Sequence, residues 1–262
     1  MRSKIYYINQ LVIVFIGAAL LVGSLHAEPK TGDDPLKSVL WDWLKKEHFG
    51  NAAVTFDDRV KVIAPAVAED SMNVPVAVSV EGLADVQEVK VLVDLNPIKK
   101  VLQFYPEKSK PYLAFRLKLE QSSAVRAAAR TADGVWHVGG VNIAATGGGC
   151  SLPSGASQNK LWESHLNEVQ GKVWPIAAGS QRVRARIVHP MDTGLASGIP
   201  AFFIQRLDLS DAAGTRLMRI ETFEPVSENP VFTFDIGNAN ANELWLTGVD
   251  NNGNKVRAQI KS

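Results

Sequence analysis

The sequence has very little cysteine and almost no net charge. Its 262 residues include one cysteine, Cys150, which excludes an internal disulfide. Lysine and arginine total 28 against 27 aspartate and glutamate, so the formal charge is +1. This balance gives no sign of a general affinity for nucleic acid or for an anionic membrane surface.

Motifs for catalysis and metal binding are also missing. The sequence contains no phosphate-binding P-loop, no dinucleotide fingerprint, no His-Glu-x-x-His pair and no paired-cysteine zinc spacing. Beyond residue 27 the histidines are widely separated: His48, His137, His165 and His189. We therefore predict no cofactor, no metal site and no enzymatic activity of the chain alone. A thiol-dependent enzyme is the weaker alternative, because no Lys, Arg or His adjoins Cys150 to activate it.

The first residues have the pattern of a secretory signal peptide. Arg2 and Lys4 give a positive start, residues 11–23 are apolar, and Ala27 is a small residue at which cleavage can occur. The alternative is an uncleaved membrane anchor, but the apolar run is shorter than the roughly 20 residues that a spanning helix needs. We predict a signal peptide over residues 1–27 and a periplasmic protein.

A helix is predicted next, and it should pack on the domain that follows. Asp33, Asp34 and Pro35 form a helix start, and Gly50 can close the helix. Apolar residues recur on one face of this segment: Leu36, Val39, Leu40, Trp43 and Leu44.

Most of the remaining chain alternates apolar and polar residues with a period of two, which is typical of β-strands. Alternating segments cover residues 74–80, 89–95, 113–119, 124–131, 135–144, 183–187, 203–209, 232–236 and 244–249. Asp133-Gly134 and Asn252-Gly253 are turn signals. Pro75 favours an edge position for its strand. The pattern predicts a mainly β fold with two sandwich domains, residues 33–146 and 181–262, joined by an arm and linker over residues 147–180.

The arm begins with three glycines before the cysteine. Gly147, Gly148 and Gly149 lack side chains, so their backbone samples both signs of φ and loses much entropy on ordering. Four extended residues span up to roughly 14 Å, which suits delivery of a group attached to Cys150. Two plainer alternatives are a glycine linker with an incidental cysteine and a buried apolar cysteine.

Several segments resemble a known family. The second half is similar to SoxZ in four stretches: residues 184–194 (Arg-Ala-Arg-Ile-Val-His-Pro-Met-Asp-Thr-Gly), 199–204, 226–230 and 249–253. In the first half, residues 146–150 (Thr-Gly-Gly-Gly-Cys) resemble the glycine-cysteine terminus of SoxY. The chain thus resembles the SoxY and SoxZ subunits of the periplasmic sulfur-oxidation carrier fused in one polypeptide. It is most similar to the SoxYZ-like carriers associated with quinoprotein dehydrogenases.

The resemblance implies two immunoglobulin-like β-sandwiches and a cysteine, Cys150, that carries sulfur intermediates covalently, as in thiosulfate oxidation. It implies periplasmic sulfur-oxidation enzymes or a quinoprotein dehydrogenase system as partners. An adaptor of such a dehydrogenase system, without essential thiol chemistry, is the alternative function. The SoxZ-like motif of unassigned role, for which we expect packing and turn formation, comprises His189, Pro190, Met191, Thr193 and Gly194.

The sequence departs from SoxY after the cysteine. SoxY ends with two further glycines, whereas here Ser151, Leu152 and Pro153 follow Cys150 and a second domain anchors the arm. We expect the arm to form a protruding bight that exposes Cys150. Its shorter reach leaves the thiosulfate assignment weaker than the carrier assignment.

Overall fold

The computed structural model describes residues 33–155, 160–237 and 243–261. The predicted signal peptide lies outside these residues. One α-helix, α1 (Trp41–Phe49), and two 3₁₀ helices, Lys160–His165 and Ala177–Gly179, occur in the described ranges. The strands there are β1 (Val54–Phe56), β2 (Val60–Ile63), β3 (Val74–Val80), β4 (Val86–Val93), β5 (Lys100–Tyr105), β6 (Ser109–Leu117), β7 (Ser123–Thr131), β8 (Trp136–Ile143), β9 (Val169–Pro175), β10 (Gln181–Ile187), β11 (Ile204–Asp211), β12 (Arg216–Thr222), β13 (Val231–Ile236), β14 (Glu243–Asp250) and β15 (Lys255–Lys261).

The strands form two sheets that enclose a common core. The six-stranded sheet has the order β2-β3-β6-β13-β10-β9, and the nine-stranded sheet has the order β1-β8-β7-β4-β5-β12-β11-β14-β15. Buried side chains of both sheets, including Val76, Phe104, Phe232 and Leu246, belong to one hydrophobic cluster. The predicted mainly β, immunoglobulin-like sandwich fold with an N-terminal helix is confirmed.

Both sheets run without interruption from the first half of the chain into the second. Strand β5 pairs with β12, where Phe104 lies opposite Ile220, and β6 pairs with β13, where Leu113 lies opposite Phe234. Backbone hydrogen bonds in both layers, as well as the linker, therefore join the two halves. The predicted domain bounds stay a prediction.

The N-terminal helix forms, but it starts later than predicted. Asp34 does not cap α1; its carboxylate accepts hydrogen bonds from the backbone N–H groups of Leu36 and Ser38 and closes a turn before the helix. Helix α1 buries Trp41, Leu44 and Phe49 on the first half of the nine-stranded sheet. The predicted face is partly wrong, since the side chains of Val39 and Trp43 are exposed. In the parts of the chain that the structure covers, every helix is too short or too polar to span a bilayer.

Two strand predictions need correction. Strand β9 lies within residues 147–180, which were predicted to be arm and linker. This strand needs a glycine at position 171, because a Cβ atom there would lie only 2.7 Å from the side chain of Ile260. Pro75 lies in β3, which is an interior strand between β2 and β6 and not an edge strand. The pairing of β3 with β2 extends only from Val80 to Ala77, so no β2 residue lies opposite Pro75.

Candidate functional site around Cys150

Residues 147–151, here the Cys150 loop, fold tightly against the end of β6. Gly147 and Gly148 have φ values of +103° and +79°, which residues with a side chain rarely adopt. Gly149 is needed for a close approach, because a Cβ atom there would lie 2.2 Å from the carbonyl oxygen of Ser71 and 2.6 Å from that of Leu119. The glycines thus permit close backbone packing.

Backbone hydrogen bonds hold the three glycines in place. The N–H of Gly147 donates to Ser71 Oγ at 3.2 Å. The N–H groups of Gly148 and Gly149 donate to the carbonyl oxygens of Glu120 and Leu119 at 3.1 and 3.0 Å. In this conformation the expected protruding bight is wrong. The segment lies flat on the protein because each glycine N–H has a partner there.

The carboxylate of Glu120 clamps the loop at the cysteine. Its Oε2 accepts hydrogen bonds from the backbone N–H groups of Cys150 and Ser151, both at 3.0 Å. Its Oε1 accepts one from the Ser151 hydroxyl at 2.8 Å. Hydrogen bonds to a charged group are stronger than neutral ones, so this single side chain contributes much of the hold on the loop.

The thiol of Cys150 is completely buried. Its Sγ lies 3.8 Å from the carbonyl oxygen of Lys118. Burial raises the pKa of the thiol to about 12; Glu120 adds to the rise and the Lys118 ammonium opposes it. Since the thiolate is the reactive form, Cys150 is chemically protected while the loop is closed.

A buried lysine lies beside the thiol. Lys118 is only 2% exposed, and its Nζ donates a hydrogen bond to the carbonyl oxygen of Met191. Burial lowers the pKa of Lys118 to about 8, although the negative charge of Asp192 opposes the shift. Sequence reasoning missed this residue. The alternation of residues 113–119 places Lys118 among the outward-facing positions, and only the folded chain covers it with the second half.

The SoxZ-like motif of the second half contacts the Cys150 loop directly. The Thr193 hydroxyl donates to the carbonyl oxygen of Cys150 at 2.6 Å. Asp192 Oδ1 accepts a hydrogen bond from the N–H of Ser154 at 3.2 Å. The structure therefore joins the cysteine and the motif, which the sequence presented as unrelated segments.

The motif itself makes a buried turn. Met191 has a φ of +50° and Gly194 one of +77°. A side chain at Gly194 would approach the backbone nitrogen of Ala201 to 2.9 Å. Pro190 is buried with its neighbours. These positions shape the turn that presents Thr193 to the loop.

His189 is a buried neutral histidine at the base of this turn. Its Nδ1 accepts a hydrogen bond from the N–H of Met191 at 3.1 Å, so the ring proton lies on Nε2, 3.5 Å from Asp250 Oδ2. Burial lowers the pKa of His189 to about 4, although Asp250 opposes the shift. Protonation of this ring therefore disfavours the folded state.

Replacing His189 with asparagine should flatten the acid side of the stability profile. Below pH 6.5 the His189 ring is protonated in the unfolded chain, whereas in the folded chain it stays neutral down to about pH 4. The free energy of unfolding therefore falls as the pH falls across that window. The loss between pH 7 and pH 5 is about 2 kcal/mol for such a group. Urea unfolding at the two pH values should show that the free energy of unfolding of His189→Asn falls by about 2 kcal/mol less than that of the wild type. The Oδ1 atom of the asparagine can still accept the hydrogen bond from the Met191 N–H. An equal loss in both proteins would contradict a neutral buried His189.

The other histidines do not gather into a site. In the three described ranges, no group of three or more His, Cys, Asp or Glu side chains could hold a metal ion. His137 instead contacts Asp57 at 2.8 Å, and His165 contacts Glu168 at 2.9 Å, each near the surface.

Comparison with known proteins places these features in families. Residues 45–150 match the family Sulfur oxidation protein SoxY, and residues 176–261 match Sulphur oxidation protein SoxZ. The chain is a fusion of a SoxY domain and a SoxZ domain. Cys150 is the last residue of the SoxY match, and the motif that contacts it lies in the SoxZ domain.

A solved structure is similar to part of the chain. It is the sulfur carrier protein SoxY from Chlorobium limicola f thiosulfatophilum, with 18% sequence identity and a TM-score of 0.36. The similarity covers 40% of this chain and 96% of that protein. No curated protein sequence gives a significant match.

Proposed function

We propose that this protein is a periplasmic sulfur carrier that holds a sulfur intermediate covalently on Cys150 and presents it to partner enzymes. The observation that carries the proposal is the position of the only cysteine in the sequence. Cys150 ends the SoxY match and lies where the SoxY domain contacts Thr193 of the SoxZ domain.

The buried thiol means that the carrier works through two conformations. The closed loop protects the thiol from oxidation, and a partner must release the loop before the sulfur atom can react. Joining a thiol to thiosulfate through an S–S bond releases one proton and two electrons, which a partner enzyme has to accept. The protein is then a carrier and not an enzyme, in keeping with the absence of catalytic motifs.

Intact mass measurement of protein isolated from its native host tests this function. We expect part of the population to carry extra mass that a reductant removes and that peptide analysis assigns to Cys150. The Cys150→Ser variant, isolated in the same way, should carry none. A wild-type protein that always has the mass of the bare chain, during growth on reduced sulfur compounds, would overturn the carrier proposal.

The burial of the thiol supports a second candidate function, the adaptor of a quinoprotein dehydrogenase system. In that case the two domains bind partners, and Cys150 only packs. The Cys150→Ser variant separates the two functions, because a serine hydroxyl is close in size to a thiol but cannot form an S–S bond. Loss of physiological activity with intact folding supports the carrier, whereas full activity supports the adaptor.

A further inference from the structure

A basic groove lies at the end of the sandwich formed by the SoxZ domain. It has a volume of about 690 Å³ and lies where β9 and β15, the last strands of the two sheets, meet. Four cationic side chains line it: Lys172, Arg184, Arg186 and Lys261. No acidic residue is among the groove-lining residues that the structure describes. We call this feature the basic groove.

The positive charges of the basic groove repel one another within the sheet. Lys172 of β9 lies directly opposite Arg184 of β10, and Arg186 is two residues further on the same exposed face. Like charges directly opposite each other destabilise a strand pair. Arg184 and Arg186 lie opposite Thr233 and Val231 of β13, which cannot neutralise them.

A neighbouring arginine shows how this sheet face satisfies a guanidinium group internally. Arg182, two residues before Arg184, binds Asp235 of β13 through two hydrogen bonds of 2.7 and 2.9 Å. In the described parts of the chain, no carboxylate lies within ion-pair distance of Arg184 or Arg186. Lys261 lies directly opposite Glu243 of β14, which is outside the groove lining, so the uncompensated charge of the groove is that of Lys172, Arg184 and Arg186. The groove therefore keeps a positive potential that an external anion can use.

The groove is connected to the cysteine through one strand. Strand β10 carries Arg184 and Arg186 and leads within two residues of its end to His189, the start of the turn that contacts the Cys150 loop. A partner bound in the groove would thus lie on the element that supports the loop closure.

We propose that the basic groove is the docking surface for an acidic patch on the partner protein that loads or unloads Cys150. The inference rests on the proposed carrier function. A groove of this volume is much larger than a single sulfur oxoanion, and its cations are spread over three strands, so an extended acidic surface matches it better. Complementary charge of this kind raises association rates and sets the orientation of partners.

Two measurements on one pair of variants test the docking surface. Arg184→Gln with Arg186→Gln removes two charges from the groove, and Lys45→Gln with Lys46→Gln removes two charges from α1 as the matched control. The first measurement is the anisotropy of a fluorescein-labelled octaglutamate peptide titrated with each protein at low and high NaCl. We expect salt-sensitive binding to wild type and control, and at least 10-fold weaker binding to the groove variant. Equal binding to groove variant and control would overturn the inference.

The second measurement is the fraction of Cys150 that carries reducible mass when each variant replaces the wild type in the native host. We expect at least a fivefold lower or higher fraction in the groove variant and no change in the control. An unchanged fraction in the groove variant, beside a modified wild type, overturns docking and leaves the carrier intact. A wild-type protein without reducible mass overturns the carrier function. The peptide titration still shows whether the groove binds an acidic partner. If sulfate displaces the peptide at a concentration well below the chloride concentration that displaces it, the groove is a site for small oxoanions. That result would also overturn docking.

Discussion

Replacing Glu120 with alanine should speed the labelling of Cys150 by about 10- to 100-fold in the folded protein. The change removes three hydrogen bonds from the loop, two from backbone N–H groups and one from the Ser151 hydroxyl. A hydrogen bond to a charged group contributes about 1.5–3 kcal/mol. Water can replace the carboxylate at the exposed Ser151, so we take the net loss as about that of one such bond, and about 1.4 kcal/mol changes an opening equilibrium tenfold. The labelling rate with a maleimide at constant pH measures this opening.

A surface glutamate provides the control for that experiment. Glu81 binds Lys61 at 3.1 Å on the exposed side of the SoxY domain, so Glu81→Ala should leave the labelling rate unchanged. Urea unfolding of Glu120→Ala must show that the protein is still folded under the labelling conditions. If a folded Glu120→Ala protein reacts no faster than wild type, the loop does not open by releasing this carboxylate.

Replacing Arg126 with methionine should destabilise the SoxY domain by about 3–5 kcal/mol, because it leaves two buried carboxylates without their cation. Arg126 is 1% exposed and binds Asp94 at 2.8 Å and Asp34 at 2.6 Å. Its guanidinium also stacks 4.3 Å from the ring of Trp41. For a chain of this size the loss corresponds to a fall in melting temperature of about 6–10 °C, which calorimetry would measure.

The matched control is an arginine at the surface. Arg59 binds Asp57 with similar geometry at 2.7 Å, but its side chain is 52% exposed. Exposed ion pairs contribute about 0–1 kcal/mol, so Arg59→Met should change the melting temperature little. Equal effects of the two substitutions would show that the burial of Arg126 does not determine the loss.

The strand pattern could be predicted from the sequence where one face of a strand is buried. Strand β3 occupies the predicted residues 74–80, and Asn252-Gly253 forms the β14–β15 turn as expected. The continuity of the sheets could not be predicted, because the pairing of β5 with β12 joins residues more than 100 positions apart and depends on tertiary packing.

The chemistry of the site was harder to predict than its position. Cys150 and the motif around Thr193 were both identified from their local residues, but nothing local shows that they touch. A run of three glycines indicates either a flexible backbone or close backbone packing. Gly149 permits close packing, because its neighbours leave no room for a Cβ atom. The position of Lys118 beside the thiol could not be predicted, because the second half of the chain buries it.

The pairing of β5 with β12 and of β6 with β13 within one polypeptide has a consequence for how the thiol is uncovered. If the two domains were separate subunits, dilution alone could part Thr193 from Cys150. Here the covalent link makes that step unimolecular, so protection of the sulfur does not depend on protein concentration. Uncovering the thiol requires a local rearrangement of a few residues, at any abundance of the protein in the cell.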